Sequence, residues 1–113
     1  MPRNLTERER KILHKLLAGN PKLEELQKQA VDGLVTEWDD GTGTLWFEGK
    51  PTGNSPHGIL AEAEFTDADG FEGHVLLHEA SGRIVSLEFY KDKPGPIIQS
   101  PSAEDITVRW VEG

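Results

Sequence analysis

The chain has 113 residues, with 12 Lys or Arg against 20 Asp or Glu, so its formal net charge is −8. This length and a hydrophobic content of 35% predict one small acidic domain over residues 1–113 with a modest core. The absence of Cys excludes disulfides, thiolate metal sites and cysteine nucleophiles. The negative charge argues against a nucleic-acid partner and favours a basic protein partner.

No stretch approaches the roughly 20 consecutive apolar residues that a membrane helix needs. The first residues also lack the apolar core of a signal peptide. We therefore expect no membrane association and a cytoplasmic location.

The first predicted element is a helix at about residues 6–18. Thr6 and Glu9 have the capping-box spacing, in which each side chain satisfies a free backbone N–H of the first turn. The apolar residues of one stripe are Ile12, Leu13, Leu16 and Leu17. The charged residues expected to face water are Arg8, Glu9, Lys11 and Lys15.

A second helix is predicted at about residues 21–31. Asn20 and Pro21 are typical of an N-cap and a first helical position, and Asp32 with Gly33 ends the pattern. Its apolar stripe comprises Leu23, Leu26, Ala30 and Val31. The two helices are expected to form a hairpin.

From Leu34 onward the hydrophobic period changes from helical to alternating, which predicts strands. The predicted strands are 34–38, 44–48, 59–66, 71–79, 83–91 and 106–111. Two Gly- and Pro-containing stretches, 49–58 and 92–102, are predicted loops. The fold class is therefore α+β, with the helical hairpin packed on one face of an antiparallel meander of about five or six strands.

Two similar turns set a predicted register for the central strands. Ala68–Gly70 and Ala80–Gly82 each have three residues and end in Gly, which suits a hairpin loop with a left-handed last residue. Asp67 would then pair with Phe71, and Glu79 with Arg83. This register places six apolar residues on one face: Ala61, Ala63, Val75, Leu77, Val85 and Leu87. It also places Phe65 and Phe89 on either side of Gly73.

The same register aligns polar residues on the opposite face. Glu64, His74 and Glu88 form one row across three strands, and Glu62, Leu76 and Ser86 form the next. One His with two carboxylates is an acceptable ligand set for zinc or manganese, so Glu64, His74 and Glu88 are a candidate metal site. The alternative is simple charge pairing on a solvated sheet face, because side chains on a flat row project in parallel.

The large aromatic residues admit two interpretations. Trp38, Trp46 and Trp110 lie on three predicted strands, and a small domain would bury most of them in its core. Alternatively, one or two of them form an exposed patch with Tyr90 and Leu76, surrounded by carboxylates. The candidate partner-binding residues are Glu62, Glu64, Glu72, His74, Leu76, Glu88 and Tyr90.

No motif in the sequence indicates catalysis. Asp67, Asp69 and Gly70 have a faint likeness to the start of a calcium loop, but the later ligands are missing, so a hairpin turn is favoured. No G-x-S-x-G elbow and no phosphate loop with its Lys is present. We therefore predict a non-enzymatic protein without a cofactor.

Several segments of the chain follow one recurring pattern: Glu64–Gly70 (EFTDADG), Val75–His78 (VLLH), Gly82–Tyr90 and Pro96–Ile97. With the N-terminal helical segment, this pattern resembles a family of small uncharacterised bacterial proteins, mostly actinobacterial. The resemblance implies no activity and assigns no catalytic residues. In size and charge alone, the chain is similar to immunity proteins, which neutralise toxins.

Three functional hypotheses follow. The first is a non-enzymatic acidic binding domain, such as an immunity-type inhibitor of a basic toxin or nuclease domain. The second is a metal- or small-ligand-binding protein or enzyme that uses His74 with Glu64 and Glu88. The third is a structural module that acts as a homodimer through the edge strand at 106–111. The expected oligomeric state is a monomer or a weak homodimer.

Overall fold

A computed structural model describes residues 2–20, 23–48, 57–80 and 83–111. Its elements in chain order are α1 (Glu7–Leu17), α2 (Leu23–Asp32), β1 (Val35–Glu37), β2 (Leu45–Phe47), β3 (His57–Thr66), β4 (Glu72–Ala80), β5 (Arg83–Lys91), a 3-10 turn (Ala103–Asp105) and β6 (Thr107–Val111). All eight predicted helices and strands are confirmed, with their ends shifted by at most two residues. The predicted helix position of Pro21 and most of the predicted loop 49–58 lie outside the described residues.

The six strands form one antiparallel sheet in the order β1-β2-β5-β4-β3-β6. Helix α1 packs against β3 and β6, α2 packs against β5, and the two helices contact each other. The α+β prediction, with helices on the sheet, is therefore confirmed. The last strand lies at one edge, beside β3. At the other edge, Arg3 forms a bridge with Val35 of β1.

The start of α1 shows both the success and the failure of the helix prediction. The Thr6 hydroxyl accepts a hydrogen bond from the Glu9 N–H (3.2 Å), and the Glu9 carboxylate accepts one from the Thr6 N–H (2.8 Å), so the capping box is confirmed. The prediction that Glu9 faces water is wrong, since the residue is only 2% exposed. The Arg3 guanidinium reaches both Glu9 oxygens, at 2.8 and 2.9 Å. Burial by itself raises the pKa of Glu9, but the hydrogen bonds from Arg3 and Thr6 outweigh it and lower that pKa.

The core lies between the helices and the sheet face predicted to be apolar. Its fully buried members include Ile12, Leu13, Leu16, Leu17, Ala61, Val75, Leu77, Ile84 and Leu87. Ile84 takes the place predicted for Val85, which lies at the bulge in β5. The pairing of β3 with β4 is as predicted, with Ala63 opposite Val75 and Glu64 opposite His74. The alternation of apolar and polar residues therefore assigned these strands' faces correctly.

The predicted register between β4 and β5 is wrong by one residue at the turn and by two residues along the rest of the two strands. Ala80, rather than Glu79, pairs with Arg83, and a register irregularity follows between His78 and Glu79. Beyond this bulge, Val75 lies opposite Phe89, where the prediction has Leu87. A slip of two residues keeps every side chain on its own face, so the continuity of the apolar face could not reveal it.

Gly73 lies directly beneath an aromatic ring. It pairs with Phe65 across the β3–β4 ladder, and a Cβ atom on Gly73 would lie 2.2 Å from Cζ of that ring. The predicted second neighbour, Phe89, instead faces Val75, and Lys91 lies opposite Gly73. Glycine is therefore required here by close packing.

The turn between β3 and β4 anchors the loop that follows β5. Asp67 N–H donates to the Phe71 carbonyl at 2.9 Å, as predicted, and Gly70 has a positive φ of 85°. The Asp67 carboxylate, which is 0% exposed, accepts hydrogen bonds from Lys91 Nζ at 2.8 Å and from the backbone N–H groups of Ile98 and Gln99 at 2.9 Å each. The hairpin-turn interpretation is thus confirmed.

The electrostatics of Asp67 follow from these contacts. Burial alone raises the pKa of this carboxyl group, but the hydrogen bonds from Lys91 and three backbone N–H groups outweigh burial. They hold the pKa of Asp67 well below its usual range. The residue acts as a fixed anion around which the turn, β5 and the following loop are assembled.

Candidate functional site on the open sheet face

The sheet face away from the helices, which we call the open face, carries all seven candidate partner-binding residues. They occupy alternate positions whose neighbours along the strand face the core: Glu62, Glu64, Glu72, His74, Leu76, Glu88 and Tyr90. Asp92 follows β5 and joins this group through a contact with His74. The strand alternation therefore brings these side chains to one surface.

One row of this face mixes acidic and apolar residues. Glu88 lies opposite Leu76, Leu76 opposite Glu62, and Glu62 opposite Trp110, so the row crosses β5, β4, β3 and β6. Leu76 is thus the apolar centre between two carboxylates.

The core interpretation of the tryptophans is wrong, because all three lie on the open face. Trp110 is 48% exposed and Trp38 is 47% exposed, while Trp46 is half-buried on the open face. Trp38 directly follows β1 and Trp110 lies on β6, so the two residues are at opposite edges of the sheet. The open face is therefore aromatic at both ends.

His74 is held in place by two neighbours. Its ring stacks on the Tyr90 ring, with centroids 4.8 Å apart and an interplanar angle of 21°. Its Nε2 atom lies 2.7 Å from Oδ1 of Asp92. Ligand-type atoms of Glu72, His74 and Asp92 all lie within 4.8 Å of one another.

The predicted set of Glu64, His74 and Glu88 is not brought together. Glu64 lies opposite His74, as predicted, and forms an ion pair with Arg109 at 3.2 Å. Glu88 instead bonds His78, with Nε2 and Oε1 2.9 Å apart. The cause is the two-residue register shift, which places Tyr90 beside His74 and moves Glu88 to the level of Leu76.

Carboxylates on this face interact with one another. A hydrogen bond with Glu72 and the ion pair with Arg109 both lower the pKa of Glu64. The hydrogen bond with Glu64 and the negative charge of Glu64 both raise the pKa of Glu72. Burial and then the negative charges of Glu88, Glu62 and Asp92 raise the pKa of Tyr90. The raised pKa values of Glu72 and Tyr90 thus owe part of their shift to the negative charges of neighbouring carboxylates.

A shallow cavity of about 180 Å³ lies at the β1–β2 end of the open face. Its lining residues are Trp38, Thr44, Trp46, His78, Ser86 and Glu88. The β1–β2 register creates it: Thr36 pairs with Trp46, and Trp38 N–H donates to the Thr44 carbonyl at 2.8 Å. The two indoles are therefore diagonal neighbours on the same face.

Sequence reasoning did not identify this cavity, although a usable signal was present. Pairing of the two short strands around a turn at Gly41–Gly43 would place both tryptophans on one face. The participation of His78 and Glu88 depends on the β4–β5 bulge and could not have been found in that way.

Comparisons with known proteins give a family but no activity. A family model described as a domain of unknown function (DUF6984) matches residues 2–101. No curated protein and no solved structure matches the chain. Within the described residues, none of the helices has the length and apolar character needed to cross a membrane.

Proposed function

The chain belongs to the DUF6984 family, a domain family of unknown function, and we propose that it is a non-enzymatic domain that binds a basic protein through its open face. An immunity-type inhibitor of a basic toxin or nuclease domain is the specific form of this proposal. As part of the same proposal, the protein is bacterial and is located in the cytoplasm.

The observation that carries the proposal is the combination of charge and exposed aromatic area on one surface. Among the residues that the structure describes, the open face carries the carboxylates of Glu62, Glu64, Glu72, Glu88 and Asp92. Arg109 pairs with one of these carboxylates, Glu64. A basic protein would neutralise this charge, and exposed Trp and Tyr side chains supply the large contact energies that dominate interfaces.

The proposal is tested by capture with charge-matched variants as baits. The triple variant Glu62→Lys, Glu64→Lys and Glu88→Lys brings the net charge from −8 to −2, because each change adds two positive charges. The control variant Glu7→Lys, Glu24→Lys and Glu104→Lys has the same net charge, but its changes lie at exposed positions outside the sheet. Circular dichroism verifies that both variants fold.

Each bait is incubated with a lysate of the organism of origin at low salt, and retained proteins are identified by mass spectrometry. We expect one basic protein on the wild type and on the control, retained about tenfold less by the open-face variant and eluted by rising salt. Equal retention by both variants would contradict the proposal, because net charge rather than the open face would then explain binding.

A second candidate function, metal binding, is favoured by the proximity of Glu72, His74 and Asp92. Two carboxylates and one imidazole suit manganese or zinc. If this set binds the ion, Mn²⁺ or Zn²⁺ at 100 times its Kd stabilises the fold by about 2.7 kcal/mol. The rise in thermal midpoint is expected to vanish in Asp92→Asn and to persist in Glu62→Gln. An unchanged midpoint in the wild type would reject this candidate.

A further inference from the structure

We infer that the cavity between Trp38 and Trp46 receives a positively charged side chain, an arginine or a lysine, of the basic partner. The inference rests on the proposed function and names the anchor of that interface. It gives the aromatic residues at the β1–β2 end of the sheet a specific role.

The lining of the cavity selects a cation. Indole rings are the strongest aromatic partners of a guanidinium or ammonium group. Glu88 supplies a carboxylate whose Oε1 atom bonds His78, and a carboxylate has lone pairs for several further donors. Its side chain is 37% exposed and is therefore accessible from the cavity.

The other polar groups around the cavity leave Glu88 as the main ligand. The Thr44 hydroxyl is committed to the backbone of Phe89, accepting from its N–H at 3.0 Å and donating to its carbonyl at 3.1 Å. Ser86 is buried. An apolar side chain in this cavity would desolvate the Glu88 carboxylate, whose Oε1 bonds His78, without supplying a donor for its other lone pairs, whereas a cation would supply one.

The size of the cavity fits one side-chain head group. Sites for drug-sized ligands commonly enclose about 300–1,000 Å³, and this cavity has about 180 Å³. The position of the cavity also agrees with the proposed binding face, because Glu88 belongs both to the cavity and to the row that contains Leu76 and Glu62. The cavity is therefore continuous with the proposed binding face.

The first test uses a small probe in place of the partner. N-acetyl-arginine amide is titrated into ¹⁵N-labelled protein, and the indole N–H signals of the three tryptophans are followed. N-acetyl-citrulline amide is the neutral control of the same shape. Trp110 is an internal control, because β6 lies four inter-strand steps, or about 19 Å, from β2.

We expect the arginine probe to shift the Trp38 and Trp46 signals, and the citrulline probe to leave them in place. Glu88→Gln should weaken the arginine effect about tenfold, as expected for removing a hydrogen bond to a charged group. Glu104→Gln, at an exposed position outside the sheet, should leave it unchanged. Equal shifts with both probes, shifts confined to Trp110, or no shifts would overturn the inference.

The capture experiment separates this inference from the proposed function. Capture of a basic protein that is equally strong with wild type and with Glu88→Gln or Trp38→Leu would overturn the inference alone. Arginine-dependent shifts of Trp38 and Trp46 with no captured protein would overturn the proposed function and leave the cavity as a cation site. Loss of partner capture in both Glu88→Gln and Trp38→Leu, together with arginine-dependent shifts of the Trp38 and Trp46 signals, would support the proposed function and this inference.

Discussion

Lys91 and Asp92 are neighbours in the chain, yet they belong to two charge clusters with opposite properties. Lys91 turns inward and pairs with Asp67 at 2.8 Å and with Asp69 at 2.7 Å. Asp92 turns outward and bonds His74, beside Glu72 and Glu64. We call these the inner cluster and the outer cluster.

The difference between the clusters lies in how completely their charges are satisfied. The Asp67 carboxylate is fully enclosed and accepts bonds from Lys91 and from three backbone N–H groups. In the outer cluster, two carboxylates hydrogen-bond each other, and more than half of the Asp92 side chain is exposed. A satisfied buried charge holds a fold together, whereas accumulated exposed charge of one sign is suited to a ligand of the opposite sign.

The largest expected effect comes from breaking the inner cluster. Asp67→Ala removes a carboxylate partner of the buried Lys91, which keeps its ion pair with Asp69, and removes the acceptor of the Ile98 and Gln99 N–H groups. We expect the free energy of unfolding to fall by about 3 kcal/mol or more, as for other buried pairs that lose one partner. Urea unfolding at pH 7 measures this, with Asp92→Ala as the outer control. A loss in Asp92→Ala as large as that in Asp67→Ala would contradict the distinction between the clusters.

Lowering the pH should cause part of the same loss in the free energy of unfolding, because it protonates Asp67. The pKa of Asp67 is depressed in the folded state, so its stabilising contribution is complete above the unfolded pKa of about 3.9 and is lost as the pH falls toward the folded value. Stability should therefore decrease steadily below about pH 4. In Asp67→Asn the decrease should be shallower, though not absent, because the pKa of Glu9 is also lowered. Parallel pH dependences of unfolding for wild type and variant would argue against this role of Asp67.

Gly73 and His74 extend the comparison to the two faces of β4. A methyl group on Gly73 would clash with the Phe65 ring, which is itself buried and cannot move outward freely. We expect Gly73→Ala to lower the free energy of unfolding by about 2 kcal/mol, within the range for overpacked cores. His74→Ala, which loses only contacts on the open face, should have a smaller effect. Thermal unfolding of both variants compares them directly.

The inner cluster was partly predictable from sequence, whereas the outer cluster was less so. Turn chemistry at Ala68–Gly70 gave the β3–β4 register, and residue alternation then gave the faces of both strands. The partners of His74 depended on the pairing at the turn and on a bulge near Glu79, each of which displaces β5 by one residue. Alternation cannot detect the resulting displacement of two residues, because the side chains beyond the bulge stay on their own faces. The long-range ligands of Asp67, in the loop after β5, follow from tertiary packing and have no local signal.

The smallest expected effect comes from a substitution in the outer cluster. Glu72 and Glu64 repel each other unless they share a proton, and this contact raises the pKa of Glu72. Glu72→Gln replaces the proton-sharing contact by a neutral hydrogen-bond donor and should leave the thermal midpoint equal to that of the wild type or slightly higher at pH 7. A raised pKa means that the folded state favours protonated Glu72, so any gain should shrink as the pH is lowered toward 4. Differential scanning fluorimetry at pH 7 and pH 4 measures it. A clear loss of stability at pH 7 would mean that the outer carboxylates support the fold, and the distinction from the inner cluster would then fail.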